Sequence, residues 1–374
     1  MHPRSCGCVE CVAVAGMETV NQFIGRMLTN RINPVHQTSH AGLWLVLLCA
    51  LSSGALAQLP TDTSMSQSAL HPASSQAQDI ELLWWIMFWA SVIIFTAVMA
   101  LLAWGLLSGR RRPSVLSTTA SMRFVLVAGV AIPALVLSAL VGGSLMLGRS
   151  IASTPPPDAL QVRVTGWMWW WEIEYLDDNG EVVATTANEM HVPVDRPVAV
   201  ELASGDVIHS FWVPRLQGKT DMVPGKTNNS WFTATETGEF RGQCAEFCGL
   251  QHALMAFVVV AQPEAEFANW LQRQASPANT PTTEAAQHGL EIFEQNCGQC
   301  HRIRGTNAIG SLGPDLTHLA SRNTLAAATL PNKRGHLAGW ISDPQRIKPG
   351  NNMPRTLLSP QELNHLLIFL DSLD

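Results

Sequence analysis

The chain has 374 residues, of which 47% are hydrophobic and only 14% charged, so it is long enough for several domains and too lean in charge for a wholly soluble one. A net charge of -6 leaves no basic footprint and no nucleic-acid partner is expected. Seven of the eight cysteines lie in close sets, which points to metal or cofactor sites before a disulfide framework, and thirteen tryptophans stand in clusters against one tyrosine.

The apolar stretch 43–57 is too short to span a bilayer. It follows Arg26 and Arg31 and ends in Ala55-Leu56-Ala57, the A-x-A pattern of a secretory signal peptide. Residues 1–57 therefore read as an N-terminal extension plus signal peptide, and Cys6, Cys8 and Cys11 have no expected role in the mature chain. Stretches 82–109 and 124–148 carry no charged side chain, and each exceeds the ~20 residues that cross a hydrocarbon core. They predict a two-helix transmembrane hairpin over 79–150. Trp84, Trp85, Trp89 and Trp104 fit interfacial belts, and Arg110, Arg111, Arg112 and Arg123 place the connecting loop in the cytoplasm. Everything after Arg149 then lies on the outer side.

Pro155-Pro156-Pro157 marks the exit from the membrane. Short β-type runs follow, among them Gln161-Val-Arg-Val-Thr165, Val198-Ala-Val-Glu-Leu202 and Ala256-Phe-Val-Val-Val-Ala261. Turn signals such as Asp177-Asp-Asn-Gly180 and Pro224-Gly225 separate them. This pattern predicts a β-sandwich or barrel over 158–262. A polar linker, 276–283, leads to helices predicted over 284–296 and 360–373, the second with Ser359 as N-cap and Pro360 in its first turn. These bound a last domain, 284–374.

The strongest pattern in the β region is Cys244-x3-Cys248-x3-His252-x2-Met255, expected in a loop just before the 256–261 strand, with His209 upstream. Two thiolates, two imidazoles and a thioether are a soft donor set that selects copper over hard cations. Zinc would close a tetrahedron and leave Met255 unused. Two cysteines this close can bridge two copper ions, one His completing each, or they can pair as a disulfide in an oxidising compartment.

Four motifs occur in order behind the helical hairpin: Gly166-Trp-Met-Trp-Trp-Trp-Glu-Ile-Glu-Tyr175, His209-Ser-Phe-Trp-Val-Pro214, Lys219-Thr-Asp-Met-Val-Pro-Gly225 and Gly242-Gln-Cys-Ala-Glu-Phe-Cys-Gly-Leu-Gln-His-Ala-Leu-Met255. On these, residues 79–262 resemble cytochrome c oxidase subunit II. The resemblance implies a cupredoxin-like β-barrel with a dinuclear copper A centre. It makes Cys244 and Cys248 the bridging thiolates, His209 and His252 the terminal imidazoles, and Met255 and the Glu246 carbonyl the weaker ligands. It also places the Glu246 side chain at a magnesium site shared with subunit I, and makes Trp169 the point where electrons arrive. The neighbours of Trp169 depart from the family, whose Gln, His and Tyr positions hold Met168, Trp167 and Trp170 here. Strand alternation would turn Trp169 and Trp171 to one face and Trp170 to the other.

Cys297-Gly-Gln-Cys300-His301 is the C-x-x-C-H signature of covalent haem attachment. Met353, in Asn351-Asn-Met-Pro354, is the only methionine after His301 and the expected sixth ligand, ahead of His318, His336 and His365. With Gly313-Pro-Asp-Leu316 between the ligands, residues 284–374 resemble class I cytochrome c. This implies an all-α cytochrome c domain with haem c on Cys297 and Cys300 and with His301 and Met353 as axial pair.

Together the resemblances imply the electron-accepting subunit of a caa3-type haem-copper oxidase in a bacterial cytoplasmic membrane. The implied partners are subunits I and III and a cytochrome c or other c-type donor. The implied path runs from donor to haem c, to copper A, to subunit I, where oxygen is reduced to water. The copper A subunit of a nitric oxide reductase would carry similar residues. A membrane-anchored copper chaperone shares C-x3-C with a distant His, but would show a thioredoxin-like βαβ pattern and lack Met255 and the haem motif.

Overall fold

The computed structural model describes residues 67–108 and 118–374. The signal-peptide reading of 1–57 and the loop arginines Arg110, Arg111 and Arg112 lie outside the described residues. The two uncharged stretches form helix α1 (Ser75–Ser108) and a rod made of α2 (Thr118–Leu126), a π-helical turn (Val127–Ala131) and α3 (Ile132–Ile151). Pro133 brings no N–H to the ladder, and the wider π turn sits where that hydrogen bond is missing. Both helices are long and apolar enough to cross a membrane. The first turn of α1 is stitched to the β region: Gln76 and Ala77 are buried, and the Thr233 N–H donates to Gln76 Oε1 at 3.1 Å.

Among the described residues the β region forms two five-stranded sheets. Their strands are β1 (Leu160–Trp167), β2 (Trp170–Leu176), β3 (Val182–Ala187), β4 (Glu189–Pro193), β5 (Val198–Ser204), β6 (His209–Trp212), β7 (Thr220–Met222), β8 (Asn228–Phe232), β9 (Gly238–Cys244) and β10 (Ala256–Gln262). The sheet orders are β3-β2-β1-β5-β8 and β4-β10-β9-β6-β7. Alternation builds the sandwich: Val162 and Val164 of β1 face the core, while Arg163 between them points outward to Glu201 (3.0 Å) and Glu174 (3.4 Å). The core centres on Trp171, Phe211 and Phe257, with ring centroids 4.7 Å apart for Phe211–Phe257 and 4.9 Å for Trp171–Phe257. Cys244, Cys248 and Met255 belong to this same buried cluster.

Three expectations change. Cys244 closes β9 instead of lying in the loop. The β1–β2 hairpin turns at Met168–Trp169, with Trp167 paired to Trp170, so Trp169 occupies a turn and the simple alternation of the tryptophans does not hold. The β domain also continues past 262 into an unforeseen helix, α4 (Glu264–Ala275), which lays Phe267 and Trp270 against Tyr175.

The last region is helical apart from a short ladder of β11 (Thr324–Leu325) with β12 (Leu330–Pro331). Helix α5 (Glu284–Asn296) starts at the N-cap Thr283; α6 (Arg334–Ser342) and α7 (Pro344–Ile347) follow. Helix α8 (Pro360–Leu370) begins with Ser359 and Glu362 in a reciprocal capping box and ends earlier than predicted. Helices α5 and α8 cross at Gly289, where a Cβ would lie 2.2 Å from the His365 carbonyl oxygen. The linker does not hang free: the Ala278 N–H donates to the Arg304 carbonyl (3.0 Å) and His318 Nε2 to the Ser276 carbonyl (2.9 Å).

Candidate functional site

The copper-type donors converge from two strand ends and one tight turn. His209 opens β6, Cys244 ends β9, and a 3-10 turn over His252–Leu254 carries His252 towards Cys248 and delivers Met255 to the start of β10. The Cys244 and Cys248 sulfurs stand 3.7 Å apart, well beyond the ~2.05 Å of a disulfide. His209 Nδ1 lies 3.8 Å from Cys244 Sγ, His252 Nδ1 3.7 Å from Cys248 Sγ, and Met255 Sδ 3.7 Å from Cys248 Sγ. The Glu246 carbonyl oxygen is 3.1 Å from Cys244 Sγ. Two ligands of one tetrahedral ion with ~2.3 Å bonds stand about 3.7 Å apart, so this spacing fits metal ions shared between the donors. All three sulfur residues and His209 are buried, which suits a soft metal.

The surroundings fix the ligands. His209 Nε2 meets Asp206 Oδ1 at 2.8 Å, which turns Nδ1 to the sulfurs. Gly166 permits the close approach of that ring, since a Cβ there would lie 3.0 Å from it. The hydrogen bond between the thiols lowers the pKa of Cys244 and raises that of Cys248, so the pair gives up its first proton readily. The Glu246 carboxylate faces away, half exposed, 3.6 Å from Lys219 Nζ. Neither Asp206 nor Gly166 was singled out as a site residue in the sequence; an Asp three residues before a candidate His was the available signal for the first.

The second site is a cavity of about 430 Å³ lined by Cys297, Cys300, His301 and Met353 together with apolar walls such as Phe293, Leu316 and Leu337. Burial lowers the pKa of His301 and so favours the neutral imidazole that binds iron. Its Nδ1 hydrogen lies on the Pro314 carbonyl at 2.8 Å, leaving Nε2 for the cavity. Asn351 Oδ1 accepts from the Met353 N–H (2.8 Å), and Gln345 Nε2 donates to the Met353 carbonyl (3.0 Å), so the ligand loop is held at both ends. Arg322 lines the cavity as a buried cation, with its Nε lacking a protein partner. A porphyrin with acidic side groups meets that description, and sequence reasoning had not found this residue. His318 is spent on two backbone carbonyls (2.7 and 2.9 Å), and neither His336 nor His365 lines the cavity.

Met168, Trp169 and Trp170 of the β1–β2 hairpin line the same cavity. Trp169 Nε1 donates to the Cys248 carbonyl at 2.8 Å. Gly249, at φ +107°, lets its backbone lie against that indole; a Cβ would fall 3.1 Å from the ring.

The fold thus joins a cupredoxin-like domain to a cytochrome c-like one. The periplasmic domain of cytochrome c oxidase subunit II matches residues 180–262, and cytochrome c matches residues 286–374. The cytochrome c oxidase subunit 2 of Bacillus subtilis is 34% identical over 271 residues, covering 67% of this chain and 75% of that one. That of Alkalihalophilus pseudofirmus is 38% identical over 218 residues, covering 58% and 62%. The crystallised periplasmic domain of subunit II of cytochrome oxidase (CoxB) of Bradyrhizobium japonicum is 35% identical, with 32% of this chain and 95% of that one covered and a TM-score of 0.30. The chain belongs to the cytochrome c oxidase subunit 2 family and carries a cytochrome c domain at its C-terminal side. It spans 62% of the length of the Alkalihalophilus relative.

Proposed function

We propose that this chain accepts electrons for a haem-copper oxidase of a bacterial cytoplasmic membrane, taking them from a c-type donor for a partner subunit that reduces oxygen to water. The observation that carries this reading is Trp169. Its indole lies against the cavity of His301 and Met353, and the same side chain donates a hydrogen bond to the backbone of Cys248. One residue therefore touches both sites.

In this reading Cys297 and Cys300 hold the haem covalently, and His301 and Met353 bind its iron. Cys244, Cys248, His209, His252, Met255 and the Glu246 carbonyl hold two copper ions. When bound, these groups would supply reversible one-electron chemistry. The chain's part is to keep its ligands still between oxidation states: buried sulfurs, an Asp206-oriented imidazole and a strand-anchored loop leave little to reorganise. Water is kept from the sulfurs by the surrounding apolar core. The Glu246 carboxylate, turned outward beside Lys219, suits a hard cation such as magnesium shared with subunit I. The apolar helices α1–α3 serve as the anchor and the packing face for subunits I and III.

The test is oxygen uptake by the purified complex with reduced cytochrome c, with copper and haem assayed in parallel. Oxygen consumption with both cofactors present supports the reading. Nitric oxide consumption without oxygen uptake would move the chain to the nitric oxide reductase alternative.

A further inference from the structure

The cytochrome c domain is seated on the copper loop through polar contacts that neither site requires for its own ligands. The Lys348 amine, 2% exposed, donates to the Leu254 carbonyl at 2.9 Å and to the Ala326 carbonyl at 3.2 Å. Leu254 lies between the copper-loop residues His252 and Met255. Ala326 begins a run of three non-glycine residues at positive φ, Ala326, Ala327 and Ala328 (53°, 57° and 55°), two of which line the haem cavity. Such backbone persists only where its surroundings hold it. Lys348 itself precedes the Met353 loop. One side chain thus contacts the copper loop, a strained wall of the haem cavity and the root of the axial-ligand loop. Flanking contacts point the same way: Asn352 Nδ2 donates to the Met168 carbonyl (2.9 Å), Arg241 Nη1 to the Ala328 carbonyl (3.2 Å), and Gln251 Nε2 to the Pro349 carbonyl.

We propose that Lys348 is the positioning residue that fixes the cytochrome c domain against the copper loop, so that the two redox sites face each other in a docked arrangement and not as partners on a loose tether. Physically this follows from burial. A buried ammonium that donates to two backbone carbonyls holds its acceptors more tightly than an exposed one. Its removal leaves two part-buried carbonyls without this donor. The assignment of electron transfer between the sites rests on the function proposed above; the docking itself does not.

The experiment is hydrogen exchange of the full chain in detergent for wild type, Lys348→Met and Lys348→Arg. It is read together with the haem α-band, the near-infrared copper band and the rate of haem-to-copper electron transfer after pulsed reduction. In Lys348→Met, exchange should rise roughly tenfold or more around Leu254, Ala326–Ala328 and Met168, while helices α5 and α8 and strands β6 and β9 keep their protection. Both bands should stay, interdomain transfer should slow and become sensitive to viscosity, and Lys348→Arg should restore much of the protection. Unchanged exchange at the interface overturns the proposal. Exchange that rises throughout α5 and α8 also overturns it, by making Lys348 a folding residue of its own domain. The milder Asn352→Ala, which removes one rim contact, keeps the test open if Lys348→Met fails to accumulate: it should loosen only the Met168 segment, and no loosening there counts against a docked interface. Absence of the copper band in wild type would sink the functional reading and leave the exchange result to stand alone.

Discussion

In the copper loop, three sulfurs and two imidazole nitrogens form a chain of contacts of 3.7 and 3.8 Å inside a packed apolar core. In the cytochrome c domain, His301 and Met353 instead face a cavity of about 430 Å³ whose walls come mostly from helices, loops and a short ladder spread along the domain, with the β1–β2 hairpin closing one side. The first site is a local feature of a fold whose core is already full. The second has a domain built around it, and the prosthetic group would serve as that domain's missing core. The contrast predicts that losing one cofactor is a local injury and losing the other a global one.

The largest expected effect follows from the cavity. With Cys297→Ala and Cys300→Ala together the haem cannot be held covalently, and an unfilled cavity of this size costs on the order of 10 kcal/mol. That is comparable with the entire stability of a small domain. Helices α5 and α8 should lose their protection from proteolysis, while the sandwich stays folded and still binds copper. A cytochrome domain that remained folded without haem would erase the contrast. On the copper side the expected injury is smaller. Asp206→Asn removes the carboxylate that orients His209 and should weaken copper binding about 10- to 100-fold, read by competition with a chelator, with no change in the haem α-band.

The same contrast explains what could be read in the sequence. Four of the five copper-type side chains fall within one short segment, so their spacing singles them out as candidates, and the family resemblance supplies their roles. The β6 histidine needed the family motif His209-Ser-Phe-Trp-Val-Pro214 as well. The haem attachment residues are contiguous too, and the single downstream methionine made Met353 the axial candidate. What escaped were residues whose role depends on distant packing. Arg322 and Lys348 are cations in polar stretches, and nothing local tells that both are buried. Helix α4 was missed because it follows directly on β10, and its amphipathic pattern is short. The tryptophan alternation failed for a different reason: the period of two is interrupted by the hairpin turn, and that turn is what brings Trp169 to the boundary between the two sites.

Trp169 is where the comparison can be sharpened. Trp169→Phe keeps an aromatic ring but deletes the Nε1–H that reaches the Cys248 carbonyl, at a cost of about 1 kcal/mol to the loop. Both absorption bands should persist, and oxygen uptake with reduced cytochrome c should fall several-fold. Uptake at the wild-type rate would mean that electrons pass between the sites without this indole.

The smallest effect tests whether the two domains melt apart. Ser359→Ala removes the hydroxyl that accepts the Glu362 N–H, and with it half of the capping box of α8, which should cost about 1 kcal/mol. For a domain of this size that lowers the melting temperature by about 4–8 °C, followed through the haem α-band. If the domains are independent, the copper band should melt at its unchanged temperature. If both bands shift together, the contacts made by Lys348, Asn352 and Arg241 are strong enough to join a haem-cored domain and a self-sufficient sandwich into one cooperative unit. The separate behaviour expected of the two cofactors would then hold only for substitutions that break that interface first.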